Sequence, residues 1–238
     1  MAQPQVLIIQ HVPWEKPGRI LDSLEELNIA TQTLTILDTK KPDLPNFADI
    51  AGLVIMGGPM GALDFDKYPG LKAEAKLAKA AIAVGKPVIG ICLGHQIIGT
   101  ALGGKLKQGK QPEIGFAPIE RVGQHHYFDM WAKELNVLHW HNDVVSLPEG
   151  AQLLAKSKYT KNQAFRFGSA LALQFHIEVT PPLFEEWLST EPMVEGLKKS
   201  QIAKLREEYA LYNPQMQPMA DTICSGFAAR CASTIASM

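Results

Sequence analysis

Several features that would point to particular classes of protein are missing from this sequence. No apolar run approaches the roughly 20 residues that a membrane-spanning helix needs. The amino-terminal residues lack the charged start, apolar centre and cleavage site of a secretory signal. Neither sign of charge dominates, because 23 Lys and Arg stand against 24 Asp and Glu, so no strong field favours nucleic acid or an anionic membrane. We therefore expect a soluble cytoplasmic protein that binds neither.

Cysteine and nucleotide-binding motifs are also scarce. The three cysteines, Cys92, Cys224 and Cys231, give no disulfide framework, as is usual in a reducing compartment. No Gly-x-Gly-x-x-Gly motif follows the first candidate strand, and no Walker-type phosphate loop is present. The sequence therefore does not support a dinucleotide site, and we predict no cofactor.

The histidines do not have the spacing of a metal site. His125 and His126 are adjacent, and His139 and His141 are two residues apart, but neither pair has a third ligand at a suitable distance along the chain. His95 lies on a candidate helix, where we expect it to pack or to support its neighbours. We predict no metal.

The first half of the chain alternates short apolar runs with amphipathic segments. Residues 5–10, 31–37, 52–56 and 86–90 are typical of strands, and residues 19–27, 68–84 and 93–102 of helices. This β-α-β-α rhythm predicts an α/β fold with three layers, helices covering both faces of a mostly parallel sheet. In such sheets the active crevice lies at the carboxyl ends of the strands.

The second half follows a different pattern. Short strands with Gly, Pro and Asn turns are expected between residues 115 and 175, and helices at 183–188, 193–212 and 216–236. We divide the chain into a domain of residues 1–190 and a carboxyl-terminal helical extension of residues 191–238. The extension either packs on the domain or offers a surface to a partner or a second copy.

Residues 90–96, Gly-Ile-Cys-Leu-Gly-His-Gln, place Cys92 between two glycines where a strand gives way to a helix. This is the cysteine form of the nucleophile elbow, whose glycines permit a tight bend. The first amides of the helix stabilise a thiolate. Taken alone, the stretch also fits a buried structural cysteine.

A thiolate nucleophile needs a base, an orienting group for that base and donors for an oxyanion. His176 and Glu178 follow an apolar strand, and their spacing lets both point the same way. Gly57 and Gly58 follow the strand expected beside the elbow strand, so their amides are free to face a carbonyl near Cys92, although Gly-Gly-Pro is more often only a turn. The amide of Leu93 is the second donor by elbow geometry.

Three motifs together resemble the class I, or triad-type, glutamine amidotransferases, and most closely the GMP-synthase-like subgroup of that family. They are Gly57-Gly58-Pro59, residues 90–96 and His176-Ile177-Glu178. The resemblance runs from about residue 5 to about residue 190. It implies a flavodoxin-like fold and hydrolysis of the glutamine side-chain amide through a γ-glutamyl thioester.

The resemblance also implies roles for single residues. Cys92 would be the nucleophile, His176 the acid and base, and Glu178 its orienter. The amides of Gly58 and Leu93 would bind the oxyanion. The residues that would hold the substrate glutamine are Gln96, Asn142 and Asp143.

The sequence departs from the family pattern in two ways. Ile177 stands where the family usually has proline, which the chemistry does not require. No Ser-Gly-Gly-Val-Asp-Ser loop of a synthase domain is present, so we expect a stand-alone enzyme that releases ammonia or passes it to a separate synthase protein. Two alternatives stay open: a γ-glutamyl peptidase acting on γ-glutamyl conjugates, and a non-catalytic regulatory protein that keeps the fold.

Overall fold

The computed structural model describes residues 3–122 and 132–238, whose strands form one nine-stranded sheet in the order β2-β1-β3-β4-β9-β8-β7-β5-β6. Five neighbouring strands at one side are parallel. They are β1 (Gln5–Ile9), β2 (Thr31–Leu34), β3 (Ile50–Ile55), β4 (Val88–Ile91) and β9 (Ala170–Leu173).

The remaining four strands extend the sheet with antiparallel pairings. They are β5 (Leu106–Arg121), β6 (Glu134–Val145), β7 (Gln152–Lys156) and β8 (Ala164–Phe167). Strand β5 is longer than its sequence suggested, because a register shift between Gln108 and Glu113 absorbs Gly109 and Pro112, residues that a regular ladder does not tolerate well.

Helices cover both faces of the sheet, as the α-β alternation predicts. Val6 and Ile8 of β1 pack in a cluster with α1 (Arg19–Glu26) and α6 (Lys199–Ala236). Leu7 and Ile9 point to the opposite face and pack with α2 (Gly70–Ala83) and α3 (Leu93–Ala101). The alternation of side chains along β1 thus divides the core into two layers, and the predicted α/β/α architecture is confirmed.

The carboxyl-terminal helices differ from expectation. After α4 (Pro181–Ser189) and a short α5 (Glu191–Val194), α6 runs without a break through Pro214 and Pro218. The sequence predicted an interruption there, because proline lacks an amide donor and disfavours helical backbone before it. Burial of Met216, Met219 and other α6 residues in the same cluster as β1 offsets that cost. Among the described residues, no helix is both long and apolar enough to cross a membrane.

Candidate active site

Cys92 lies between the end of β4 and the start of α3, with a φ of 52° in the left-handed region that non-glycine residues rarely adopt. The flanking glycines make this turn possible. A Cβ on Gly94 would lie 2.0 Å from the carbonyl oxygen of Ile55, and one on Gly90 would lie 2.7 Å from the carbonyl of Gly94. The predicted elbow is therefore a real and strained turn that presents the thiol at the carboxyl end of the sheet.

His176 and Glu178 lie just beyond β9, the strand next to the elbow strand. Nδ1 of His176 lies 2.7 Å from Oε1 of Glu178, and both side chains are buried. The backbone amide of His176 donates to the carbonyl of Leu138, and its ring packs edge-on against Trp187 with centroids 4.9 Å apart. Two of these contacts hold the ring, and the third fixes the backbone of His176.

Burial and neighbouring charges shift the pKa values of both the Cys92 thiol and the His176 imidazole. Burial lowers the pKa of His176, but the charge of Glu178 and the neighbouring Cys92 outweigh it, so the pKa stands well above its usual value. Burial raises the pKa of Cys92, and His176 works against that increase. Nε2 of His176 is buried and has no hydrogen-bond partner within 3–122 and 132–238, while the thiol of Cys92 donates to the carbonyl oxygen of Trp140 at 3.7 Å. The charge of His176 offsets only part of the effect of burial, so the pKa of Cys92 stays above its usual value while the imidazole is held protonated.

The two predicted oxyanion donors flank this pair. A Cβ on Gly57 would lie 3.5 Å from Cβ of Cys92, which places the 57–58 loop directly against the elbow. Leu93 is the first residue of α3, so its amide has no acceptor within the helix. The amides of Gly58 and Leu93 are both placed beside the thiol.

A cavity of about 470 Å³ opens above Cys92. Its lining includes the remaining residues predicted to bind substrate, Gln96, Asn142 and Asp143. Nε2 of Gln96 donates to the carbonyl of Asp143 at 3.0 Å and to Oε1 of Gln174 at 3.1 Å. Five of the nine predicted site residues line this cavity, and the other four belong to the Cys92 turn, the adjoining 57–58 loop and the His176–Glu178 pair. Gln96 braces β6, the strand that carries Asn142 and Asp143.

Three residues of this region were not found by sequence reasoning: His11 and Glu15, from the loop after β1, and Glu74 of α2. Their acid and base side chains are buried. A Cβ on Gly57 would lie 1.8 Å from Oε2 of Glu15, so this carboxyl lies against the 57–58 loop. Burial raises the pKa of Glu15 to about 7, while the positive charge of His176 opposes the increase. Only the residue types of the loop, His and Glu after a buried strand, could have signalled this.

The spacing of the histidines along the chain suggested that no third metal ligand accompanies His139 and His141, but the structure places one beside them. Glu113 brings a carboxylate oxygen to within 4.8 Å of one nitrogen of each ring. The amide of Gln163 lies between them, 3.3 Å from Oε2 of Glu113 and 3.4 Å from Nδ1 of His139. The hydroxyls of Ser157 and Thr160 also donate to this carboxylate, whereas Nε2 of His141 has no hydrogen-bond partner among the described residues. His125 and His126 lie outside the described residues.

Helix α6 contacts the segment that carries His176 and Glu178. The hydroxyl of Tyr209 donates to the carbonyl of Val179 at 2.8 Å. Arg19 of α1 donates to the carbonyls of Ile177 and Val179 and, at 2.8 Å, to Oδ1 of Asn213. Two helices thus fix the backbone on both sides of Glu178.

Comparison with known proteins also points to the glutamine amidotransferases. The sequence model of the family "Glutamine amidotransferase class-I" matches residues 18–191. The chain is 36% identical over 143 residues to the glutamine amidotransferase-like protein YfeJ of Salmonella typhimurium, covering 57% of this chain and 60% of that protein. The chain therefore spans less than two thirds of that relative.

A second relative and a solved structure extend the likeness. The chain is 30% identical over 159 residues to one subunit of the glutamine-hydrolysing GMP synthase of Thermococcus kodakarensis, covering 62% of this chain and 81% of that relative. It is also similar to the crystal structure of a glutamine amidotransferase of Thermotoga maritima. The two sequences are 29% identical, and the structural alignment covers 100% of each chain with a TM-score of 0.78.

Proposed function

Because the chain belongs to the class-I glutamine amidotransferase family, we propose that it hydrolyses the side-chain amide of glutamine through a γ-glutamyl thioester on Cys92. The observation that supports this most directly is the strained elbow, which sets the thiol beside a histidine that is itself paired with a buried carboxylate. Such a set suits nucleophilic attack on a carbonyl, because the base and its orienter are already in place.

In the first half of the reaction, the Cys92 thiolate attacks the side-chain carbonyl carbon of glutamine. The oxygen takes up the negative charge and faces the amides of Gly58 and Leu93. His176 then gives its Nε2 proton to the departing nitrogen, the C–N bond breaks, and ammonia leaves with the γ-glutamyl group bound to sulfur.

In the second half, water replaces ammonia. His176, now neutral at Nε2, takes a proton from the water as it attacks the thioester, and the C–S bond breaks to release glutamate. Throughout, Glu178 accepts the hydrogen bond from Nδ1 and stabilises the imidazolium that forms. The thiolate of Cys92 and the protonated imidazole of His176 are thereby regenerated, and neither step draws on a cofactor.

For the fate of the ammonia we propose a separate synthase protein, by analogy with the relative whose name makes it one subunit of a GMP synthase. The protein would act in the cytoplasm, where its three free, buried cysteines stay reduced. A partner is tested by adding candidate synthase proteins and measuring whether ammonia release increases.

A second substrate class follows from the cavity. Its volume of about 470 Å³ and its apolar lining by Pro59, Met60 and Ile114 support a leaving group larger than ammonia. γ-Glutamyl conjugates would undergo the same two acyl steps, with an amine departing in place of ammonia.

The two substrate classes are separated by assaying purified protein with glutamine and with γ-glutamyl dipeptides, using Cys92→Ala protein as the control. Faster release of ammonia from glutamine supports the amidotransferase reaction, and faster release of an amino acid from a dipeptide supports the conjugate hydrolase. Absence of turnover with both substrates, together with no labelling of Cys92 by a glutamine-mimicking electrophile, would instead indicate a non-catalytic protein.

A further inference from the structure

His11 links the glycine loop to a helix on the far side of that loop. Its Nδ1 lies 2.8 Å from the carbonyl oxygen of Gly57, and its Nε2 lies 2.9 Å from Oε2 of Glu74 on α2. The side chains of His11 and Glu74 are completely buried. His11 and Glu74, which are 63 positions apart in the chain, thus together hold the peptide group between Gly57 and Gly58, beside Cys92.

The direction of these hydrogen bonds fixes the orientation of the peptide. A carbonyl oxygen only accepts, so Nδ1 of His11 carries a proton and donates to Gly57. The described backbone contains no cis peptide bond, and in a trans peptide the C=O and the next N–H point in opposite directions. The N–H of Gly58 therefore points away from His11, and Gly58 lines the cavity that contains Cys92.

The side chains around Gly58 keep this peptide in place. A Cβ on Gly58 would lie 2.9 Å from Cδ2 of Leu93, 3.0 Å from Cβ of His11 and 3.0 Å from Sδ of Met60. The glycine is enclosed by three side chains, and no acceptor for its N–H is found within residues 3–122 and 132–238. An unpaired donor held in fixed orientation is what an oxyanion site requires.

We propose that His11, held by Glu74, is a positioning residue that locks the 57–58 peptide with the Gly58 N–H directed at the oxyanion. The identity of the acyl group rests on the proposed function, but the orientation of the donor does not. The lock acts before substrate arrives, so the donor needs no reorganisation during the reaction.

A positive charge on His11 would strengthen this donor. Burial lowers the pKa of His11, but Glu74, the carbonyl of Gly57 and the charge of Glu15 together raise it above the usual value. A cationic ring that donates to Gly57 polarises the peptide, which makes the Gly58 N–H a better donor. When the ring loses its Nε2 proton, two lone pairs face each other across the contact with Glu74, and the lock weakens.

The test compares two reactions of Cys92 that differ in one respect. Acylation by p-nitrophenyl acetate passes through a tetrahedral oxyanion, whereas alkylation by iodoacetamide does not. Both need the thiolate, so the ratio of their rates cancels changes in the ionisation of Cys92 and His176. We compare wild type with His11→Gln, Glu74→Gln and, as a matched control, the exposed Glu186→Gln, after confirming folding by circular dichroism.

We expect His11→Gln to lower the acylation rate at least roughly tenfold while alkylation stays unchanged, because the donor loses its orientation. Glu74→Gln keeps a polar partner for Nε2 of His11 but removes the negative charge that raises the pKa of His11. The ring should therefore lose its Nε2 proton at a lower pH than in wild type. As the pH rises, the acylation-to-alkylation ratio of this variant should fall at that lower pH. Glu186→Gln should match wild type in both respects.

A folded His11→Gln protein with the wild-type ratio would overturn the proposal. If that variant does not fold, an unchanged pH dependence in Glu74→Gln would overturn it instead. Since p-nitrophenyl acetate needs no glutamine pocket, failure to hydrolyse glutamine would contradict the proposed function and leave this result standing.

Discussion

Nδ1 of His176 and Oε1 of Glu178 lie 2.7 Å apart across a single intervening residue, Ile177, and the side chains of both are buried. This contact sets the tautomer of the ring and leaves Nε2 for Cys92. Since the charge of Glu178 raises the pKa of His176 against the effect of burial, the contact also decides how readily the imidazole carries a proton.

Replacing Glu178 by Gln tests this contact. The charge disappears while the shape is kept, so the pKa of His176 should fall. We expect kcat for the best substrate to drop on the order of 10²- to 10⁴-fold, as for the loss of the carboxylate in a comparable triad. Titration of the His176 imidazole signals by NMR measures the shift, and a pKa at or above that of wild type would count against the assignment.

Glu15→Gln should lower the pKa of the Cys92 thiol. The charge of Glu15 contributes to the raised pKa of Cys92, so its removal should let the thiolate form at lower pH. The pH dependence of Cys92 alkylation by iodoacetamide measures this, with Glu186→Gln as the exposed control. A midpoint that stays in place or moves to higher pH would show that Glu15 does not act on Cys92.

Glu15 should also make stability depend on pH. Its pKa of about 7 in the folded protein exceeds its ordinary 4.5, so its contribution is complete below about pH 4.5 and is lost as the pH rises through 7. Urea unfolding at pH 8 should show Glu15→Gln to be more stable than wild type by up to about 3 kcal/mol, with the gain vanishing at pH 4.5. Equal differences at both pH values would contradict this.

The contact between α6 and the segment carrying Glu178 is tested by Tyr209→Phe. Losing the hydrogen bond to Val179 should cost about 1 kcal/mol of unfolding free energy. Tyr212→Phe, which removes a hydroxyl without a hydrogen-bond partner in the described chain, is the matched control. A loss no greater than that of the control would mean that α6 does not brace this segment through Tyr209.

Gly94→Ala tests the backbone of the elbow. Its Cβ would meet the carbonyl oxygen of Ile55 at 2.0 Å, whereas a Cβ on Gly85 has open space and faces only the cost of a positive φ. We expect Gly94→Ala to destabilise the protein by about 1–3 kcal/mol or more, and by more than Gly85→Ala. Similar unfolding free energies for the two variants would mean that the elbow relaxes easily.

The sequence was enough to predict the elements whose signals are local. The alternation of buried strands and amphipathic helices predicts the layers, and the glycines around Cys92 predict the turn between β4 and α3. The nearby pair His176 and Glu178 is visible because its spacing of two is itself a signal.

Contacts between distant segments could not be found in this way. His11 meets Gly57 and Glu74 only because the fold brings the loops after β1 and β3 together with α2, and neither the histidine nor the glutamate stands in a motif. Glu113 joins His139 and His141 across the β5–β6 pairing in the same manner. The unbroken α6 depends on tertiary packing, which overrides the local preference of Pro214 and Pro218 for a helix end.

The most direct test of the central claim is the mass of Cys92 during turnover. Wild-type protein is mixed with glutamine, quenched with acid, digested and examined for a γ-glutamyl group on the peptide that contains Cys92, while released ammonia is measured in parallel. We expect a γ-glutamyl thioester on that peptide and ammonia release, with neither in Cys92→Ser protein. Ammonia release by Cys92→Ser at the wild-type rate, or wild-type turnover without any acyl group on Cys92, would contradict the central claim.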